Sequence, residues 1–85
     1  MSWDLVWTRP ALRDLSRLDR GVAHRVRAAM RRFGESERGD GRKLEGSDDE
    51  WALRVGDWRV RFVYDRERNA VHVLRVLPRR DAYRR

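Results

Sequence analysis

The feature that most constrains this chain is a two-residue alternation running from Trp51 to Tyr64, broken once by Gly56-Asp57. Trp51, Leu53 and Val55, then Trp58, Val60, Phe62 and Tyr64, alternate with Ala52, Arg54, Arg59, Arg61 and Val63. A period of two belongs to extended strands, whose successive side chains point to opposite faces. A Gly-Asp pair between two such runs marks a tight turn. The segment therefore predicts a hairpin with unlike faces. One face carries Leu53, Val55, Val60 and Phe62 and must be covered. The other carries Arg54, Arg59 and Arg61 and must stay in water or meet an anion, because burying an unpaired charge is costly.

What covers the apolar face lies upstream. Residues 3–7 read as a short strand. Ala11, Leu12, Leu15 and Leu18 then fall at helical spacing, with Thr8 as the N-cap and Pro10 in the first turn, where it is tolerated. Asp19-Arg20-Gly21 is a break, and Asp19 is a second candidate cap. Val22, Val26, Ala29, Met30 and Phe33 line one face of a second helix, while Arg25, Arg27, Arg31 and Arg32 lie mostly on its other faces. Gly34 suits the left-handed C-terminal position. Residues 34–50 hold Gly34, Gly39, Gly41 and Gly46 among polar residues and read as a long loop.

After the hairpin, residues 65–69 form a polar turn and residues 70–77 a further strand, stopped by Pro78. Its register has two readings. Leu74 and Val76 facing inward would bring Arg75 onto the arginine face. Val71, Val73 and Leu77 facing inward would not. A basic tail, residues 79–85, contains Tyr83. The expected architecture is α+β: a two-helix hairpin packed on a mostly antiparallel four-stranded sheet, in the order β-α-α-β-β-β, ending in the basic tail.

With 85 residues the chain makes one domain, spanning residues 1–85. It contains no cysteine, so disulfide frameworks and thiolate metal sites are excluded. No apolar run approaches the roughly 18 residues of a membrane helix. The start, MSWDLVW, lacks the charged and apolar regions of a signal peptide, so a cytoplasmic location is expected. Asp48-Asp49-Glu50 find no further metal-ligating partners in the sequence, and no cofactor is expected. His24 and His72 read as structural or solvent-exposed. The formal net charge is +7, and Lys43 is the only lysine among 21 basic residues. Arginine-biased coding explains part of that excess. The rest points to phosphate, which the planar guanidinium fork binds in bidentate fashion.

Three short elements, in order, carry a family resemblance: Lys43-Leu44-Glu45-Gly46, the run from Leu53-Arg54-Val55-Gly56 to Asp57-Trp58-Arg59-Val60, and Pro78-Arg79-Arg80-Asp81-Ala82-Tyr83-Arg84. Over nearly its whole length the chain resembles the RelE/ParE superfamily of bacterial toxins. Members of the RelE branch are endoribonucleases that enter the ribosomal A site and cut mRNA. Members of the ParE branch poison DNA gyrase and generally lack the Arg and Tyr pair of the tail. Arg79 and Tyr83 favour the RelE branch. The resemblance implies metal-independent attack by the RNA 2′-hydroxyl on phosphorus, with Arg54, Arg59, Arg79 and Tyr83 as the catalytic group and Lys43, Arg61, Arg75 and Arg80 as further RNA contacts. It also implies the ribosome, mRNA and a cognate antitoxin as partners, the last in a hetero-oligomer. A gyrase inhibitor and an inactive relic that only holds its antitoxin are the alternatives. Two positions depart from the RelE pattern: Ala52 stands where a basic residue is usual, and Pro78 where many relatives carry histidine. Arginine stays protonated, so the proton acceptor is open. Tyr83 has two readings, as an acid or base and as a stacking platform for an unpaired base.

Overall fold

The computed structural model describes residues 2–36, 40–44 and 49–80. Its elements are β1 (Asp4–Trp7), α1 (Arg9–Ser16), α2 (Arg20–Ser36), β2 (Asp40–Lys43), β3 (Glu50–Val55), β4 (Trp58–Asp65) and β5 (Ala70–Pro78). The strands form one sheet in the order β1-β5-β4-β3-β2. β1 runs parallel to β5, and every other neighbouring pair is antiparallel. Both helices pack against one face, as the alternation requires.

That face and the helices share a single core. Leu53, Val60, Phe62, Val71, Val73 and Val76 meet Ala11, Leu15, Val26, Ala29, Met30 and Phe33. The rings of Phe33 and Phe62 lie 5.0 Å apart at a tilt, within the favourable range for aromatic pairs. Burying side chains the size of Phe62, Met30 or Leu53 stabilises the fold by about 1.5–3 kcal/mol each. Trp3, Trp7, Trp51 and Trp58 are partly buried around this centre.

A bulge reconciles the two registers open to β5. Arg61 pairs with Arg75 but Phe62 with Val73, so the ladder shifts between them and Leu74 is the extra residue. Before the bulge Val71 and Val73 face the helices, and after it Val76 does. A bulge sends two residues of one strand against one of its neighbour and resets the parity. Neither simple alternation describes such a strand.

Two local expectations are corrected. The segment read as a loop contains β2, so the sheet has five strands rather than four. Asp40-Gly41-Arg42-Lys43 shows no apolar alternation; its pairing comes from the open backbone edge of β3, residue for residue from Asp40 opposite Arg54 to Lys43 opposite Trp51. Gly34 does not end α2, which continues to Ser36. A Cβ there would sit 3.2 Å from both the Trp3 carbonyl oxygen and Leu5 Cδ2. Glycine is needed for the close approach of α2 to β1, where Trp3 N–H donates to the Gly34 carbonyl. The caps stand as expected. Thr8 Oγ1 accepts from Ala11 N–H at 3.4 Å, and Asp19 accepts from Gly21 N–H at 3.0 Å.

Candidate nucleic-acid interface

The open face of the sheet is where the hairpin places its charges, and Arg59 is its most constrained member. Arg59 is 6% exposed. It lies between Arg54 on β3 and Leu77 on β5. Its Nη1 donates to the carbonyls of Gly56 and Trp58, both at 2.9 Å. The tight turn, with Gly56 at φ 59°, turns these carbonyls onto the guanidinium and fixes its position. Among the described residues no carboxylate pairs with it. Its Nε and Nη2 edge, the fork that suits two oxygens of one phosphate, is not engaged by them either. A nearly buried cation held, among the described residues, by carbonyl dipoles alone has no carboxylate there to answer its charge before an anion arrives.

The tail enters at the same end of the sheet. Arg79 N–H donates to the Asp57 carbonyl at 2.9 Å, tying the residue after β5 to the hairpin tip. Asp57, Pro78, Arg79 and Arg80 line an open depression of about 630 Å³. Arg54, Arg59, Arg79 and Arg80 therefore share one end of the sheet. Tyr83 lies outside the described residues.

The remaining candidates are dispersed. Arg61 is on the same face, one row further along β4, and forms an ion pair with Glu50. Arg75 is turned to the helical layer, where Asp14 on α1 accepts from its Nε at 2.8 Å and its Nη2 at 3.1 Å. The same carboxylate accepts from Val76 N–H at 2.8 Å. Lys43 stands opposite Trp51, which packs against the core, so Lys43 belongs to the helix-facing side of an edge strand. Asp14 is the residue the sequence reading overlooked. It is 8% exposed and falls on the stripe of Ala11, Leu15 and Leu18; a carboxylate on an apolar helical stripe is the signal that would have flagged it.

A family model for the ParE toxin of type II toxin–antitoxin systems, parDE, matches residues 5–83. The chain belongs to this ParE toxin family. Several solved structures have the same fold as this ParE-family toxin. The toxin–antitoxin complex RelBE2 from Mycobacterium tuberculosis has a chain 23% identical, with 93% of each chain covered and a TM-score of 0.83. The archaeal RelE–RelB complex from Pyrococcus horikoshii has one 22% identical, covering 93% of this chain and 97% of that one, at a TM-score of 0.77. A doubly arginine-substituted Escherichia coli toxin RelE in the free state is 21% identical over 96% of this chain and 88% of that one, at 0.80. No curated protein sequence matches the chain.

Among the described residues, Asp14, Asp49, Glu50 and Asp65 pair with arginines of the strands and the β4–β5 turn. Asp49 accepts from Trp51 Nε1 at 3.1 Å and pairs with Arg66. The indole hydrogen bond, followed by that of Arg66, holds its carboxyl below the ordinary carboxylate value. Asp65 is lowered in the same direction, chiefly by its hydrogen bond from Arg68. The carboxylate of Asp14 holds Arg75 firmly protonated, its pKa raised by their hydrogen bond. Among the described residues no cluster of three or more metal-ligating side chains occurs, and no helix is long and apolar enough to cross a membrane.

Proposed function

We propose that this ParE-family toxin acts as an mRNA interferase, cutting mRNA in the ribosomal A site, with Arg59 and Arg79 clamping the scissile phosphate. The observation that carries the reading is Arg59: a 6% exposed guanidinium, fixed by two carbonyls, with its bidentate edge unengaged by described residues. As the 2′-hydroxyl loses its proton and bonds to phosphorus, the bond to the 5′-oxygen breaks and that oxygen leaves protonated; negative charge builds on the phosphate oxygens on the way. Preorganised donors stabilise that charge without reorganising as the reaction proceeds. Arg54 adds a second positive charge directly across the strand. Arg79 and Arg80 enclose the same end from the tail. Tyr83 is assigned to the proton transfers or to stacking on the flipped-out base. Placement of the 2′-hydroxyl in line with its phosphorus falls to the ribosome, which explains why a sparse site suffices. A cognate antitoxin that covers this basic end would silence the toxin; the similar chains from M. tuberculosis and P. horikoshii were solved as complexes with antitoxins.

A second reading, inhibition of DNA gyrase without RNA chemistry, is favoured by the name of the matching family model. Expression in a bacterial host separates the two. Wild type is expected to arrest growth and leave mRNA cut within the A site. Arg79→Ala, on the exposed tail, is expected to lose about 10²–10³ in cleavage rate, the usual cost of one transition-state donor. Arg59→Lys keeps a charge in the buried position but loses the fork, and should fall by a similar factor. Intact mRNA accompanied by gyrase-dependent DNA breaks would replace the first reading with the second.

A further inference from the structure

The arginines that pair with carboxylates among the described residues lie on the strands and the β4–β5 turn. Arg61, Arg66, Arg68 and Arg75 pair there with Glu50, Asp49, Asp65 and Asp14. The helical layer is different. Arg9 and Arg13 on α1 and Arg17 at its C-cap recur every four residues, and Arg20, Arg27 and Arg31 share one stripe of α2, where Arg27 lies over the Trp7 ring. All six are exposed, and none pairs with a carboxylate among the described residues. The net positive charge of the toxin is thus concentrated on the helices, behind the sheet.

Several of these arginines stand where helix energetics disfavour them, although Arg13 and Arg17 lie at the favourable C-terminal end of α1. Arg9 and Arg20 occupy first turns that contain no acidic residue, at the positive end of each macrodipole. Arg9 with Arg13, Arg13 with Arg17, and Arg27 with Arg31 are like charges at the four-residue spacing that brings side chains together, which weakens a helix. Solvation alone calls for no such arrangement. A dense array of phosphates would reverse the sign of every one of these terms.

We infer that the outer surface of α1 and α2 is a second RNA-binding surface, shaped for the phosphate backbone of a duplex and distinct from the arginine end of the open sheet face. Four residues of helix rise about 6 Å, comparable to the step between neighbouring phosphates on a strand. Guanidiniums pair with phosphate in bidentate fashion. Single strands are held by aromatic platforms, and the one Phe, Tyr or Trp of the two helices, Phe33, is buried, which leaves only the small ring of His24 exposed. Protein interfaces are anchored by buried apolar or aromatic residues, and Leu12 is the one large hydrophobic side chain exposed on these helices. A paired backbone, read by charge and shape, fits both absences. The inference goes beyond the proposed chemistry and stands whether or not the sheet face cleaves RNA.

The test compares full-length wild type with the quadruple variant R13Q/R17Q/R20Q/R31Q, using a short A-form RNA duplex, a single-stranded RNA and a polyglutamate peptide across a salt series. The variant is expected to weaken duplex binding and flatten its log–log salt dependence by about 3–4, from roughly 0.9 per phosphate contact on a duplex. Its single-strand slope should change by less than about one. Its melting temperature at low salt should rise, which excludes unfolding as the cause. R66Q/R68Q, which removes charge at the β4–β5 turn, should bind the duplex nearly as wild type does. Duplex affinity and slope unchanged in the quadruple variant would overturn the inference, as would a wild type that does not bind the duplex. Loss of polyglutamate binding with duplex binding intact would make the surface a protein-docking site instead.

Discussion

At the scale of single residues, one carboxylate ties β5 to α1. Asp14 meets the Arg75 guanidinium and the Val76 backbone N–H together, at the point where β1 no longer pairs with β5. Asp14→Ala leaves a buried N–H and a guanidinium without their acceptor. Hydrogen bonds to charged groups are worth about 1.5–3 kcal/mol, so the variant should lose stability on that order in denaturant unfolding. A double-mutant cycle with Arg75→Ala should show the two losses to be coupled. Additive losses would mean that Arg75 contributes nothing through Asp14. The pairing explains why Arg75 was only partly legible in the sequence. Alternation fixes the face of a residue in a regular strand, but Arg75 sits at a bulge, and its partner is 61 positions away. Arg54, Arg59 and Arg61, within one uninterrupted hairpin, were read correctly as sharing a face. What alternation could not distinguish is that Arg61 is paired with Glu50 while Arg59, among the described residues, is held by carbonyls.

At the scale of elements, the strongly periodic segments were legible and the glycine-rich one was not. Two helices and the hairpin follow from spacing and caps. β2 follows from nothing in its own four residues; it forms because β3 offers an unpaired edge. Gly34 shows the same limit from the other side, since a glycine at the end of an apolar stripe has two readings and only the distance to Trp3 and Leu5 decides between them. Gly34→Ala should therefore destabilise the α2–β1 contact by about 1–3 kcal/mol, the typical cost of overpacking. If the glycine were a helix terminator in open space, the substitution would be nearly silent. The turn at Asp49 gives a pH prediction. Its carboxyl titrates below its unfolded value, so its contribution is present above about pH 4 and is lost as pH falls through the lowered value. Asp49→Asn should flatten the acid limb of stability between about pH 5 and pH 2. An unchanged limb would assign acid sensitivity to other carboxylates.

At the scale of the whole molecule, the fold separates two kinds of positive charge. The strands carry arginines whose charge is mostly answered within the protein, with Arg59 and the start of the tail as the exceptions. The helices carry arginines that meet no carboxylate among the described residues, though Arg27 lies over the Trp7 ring. Composition alone could not reveal this division, because coding bias and phosphate recognition both raise the arginine count. Only topology shows which arginines meet a carboxylate. Primer extension on purified, programmed ribosomes tests directly the phosphoryl chemistry on mRNA proposed for the sheet end around Arg59 and Arg79. Wild-type toxin should produce a new 3′ end within the A-site codon, and Arg79→Ala and Arg59→Lys should slow its appearance by about 10²–10³ while the proteins remain folded. Full-length mRNA in the presence of folded wild-type toxin, or cleavage at the wild-type rate by both variants, would contradict the account.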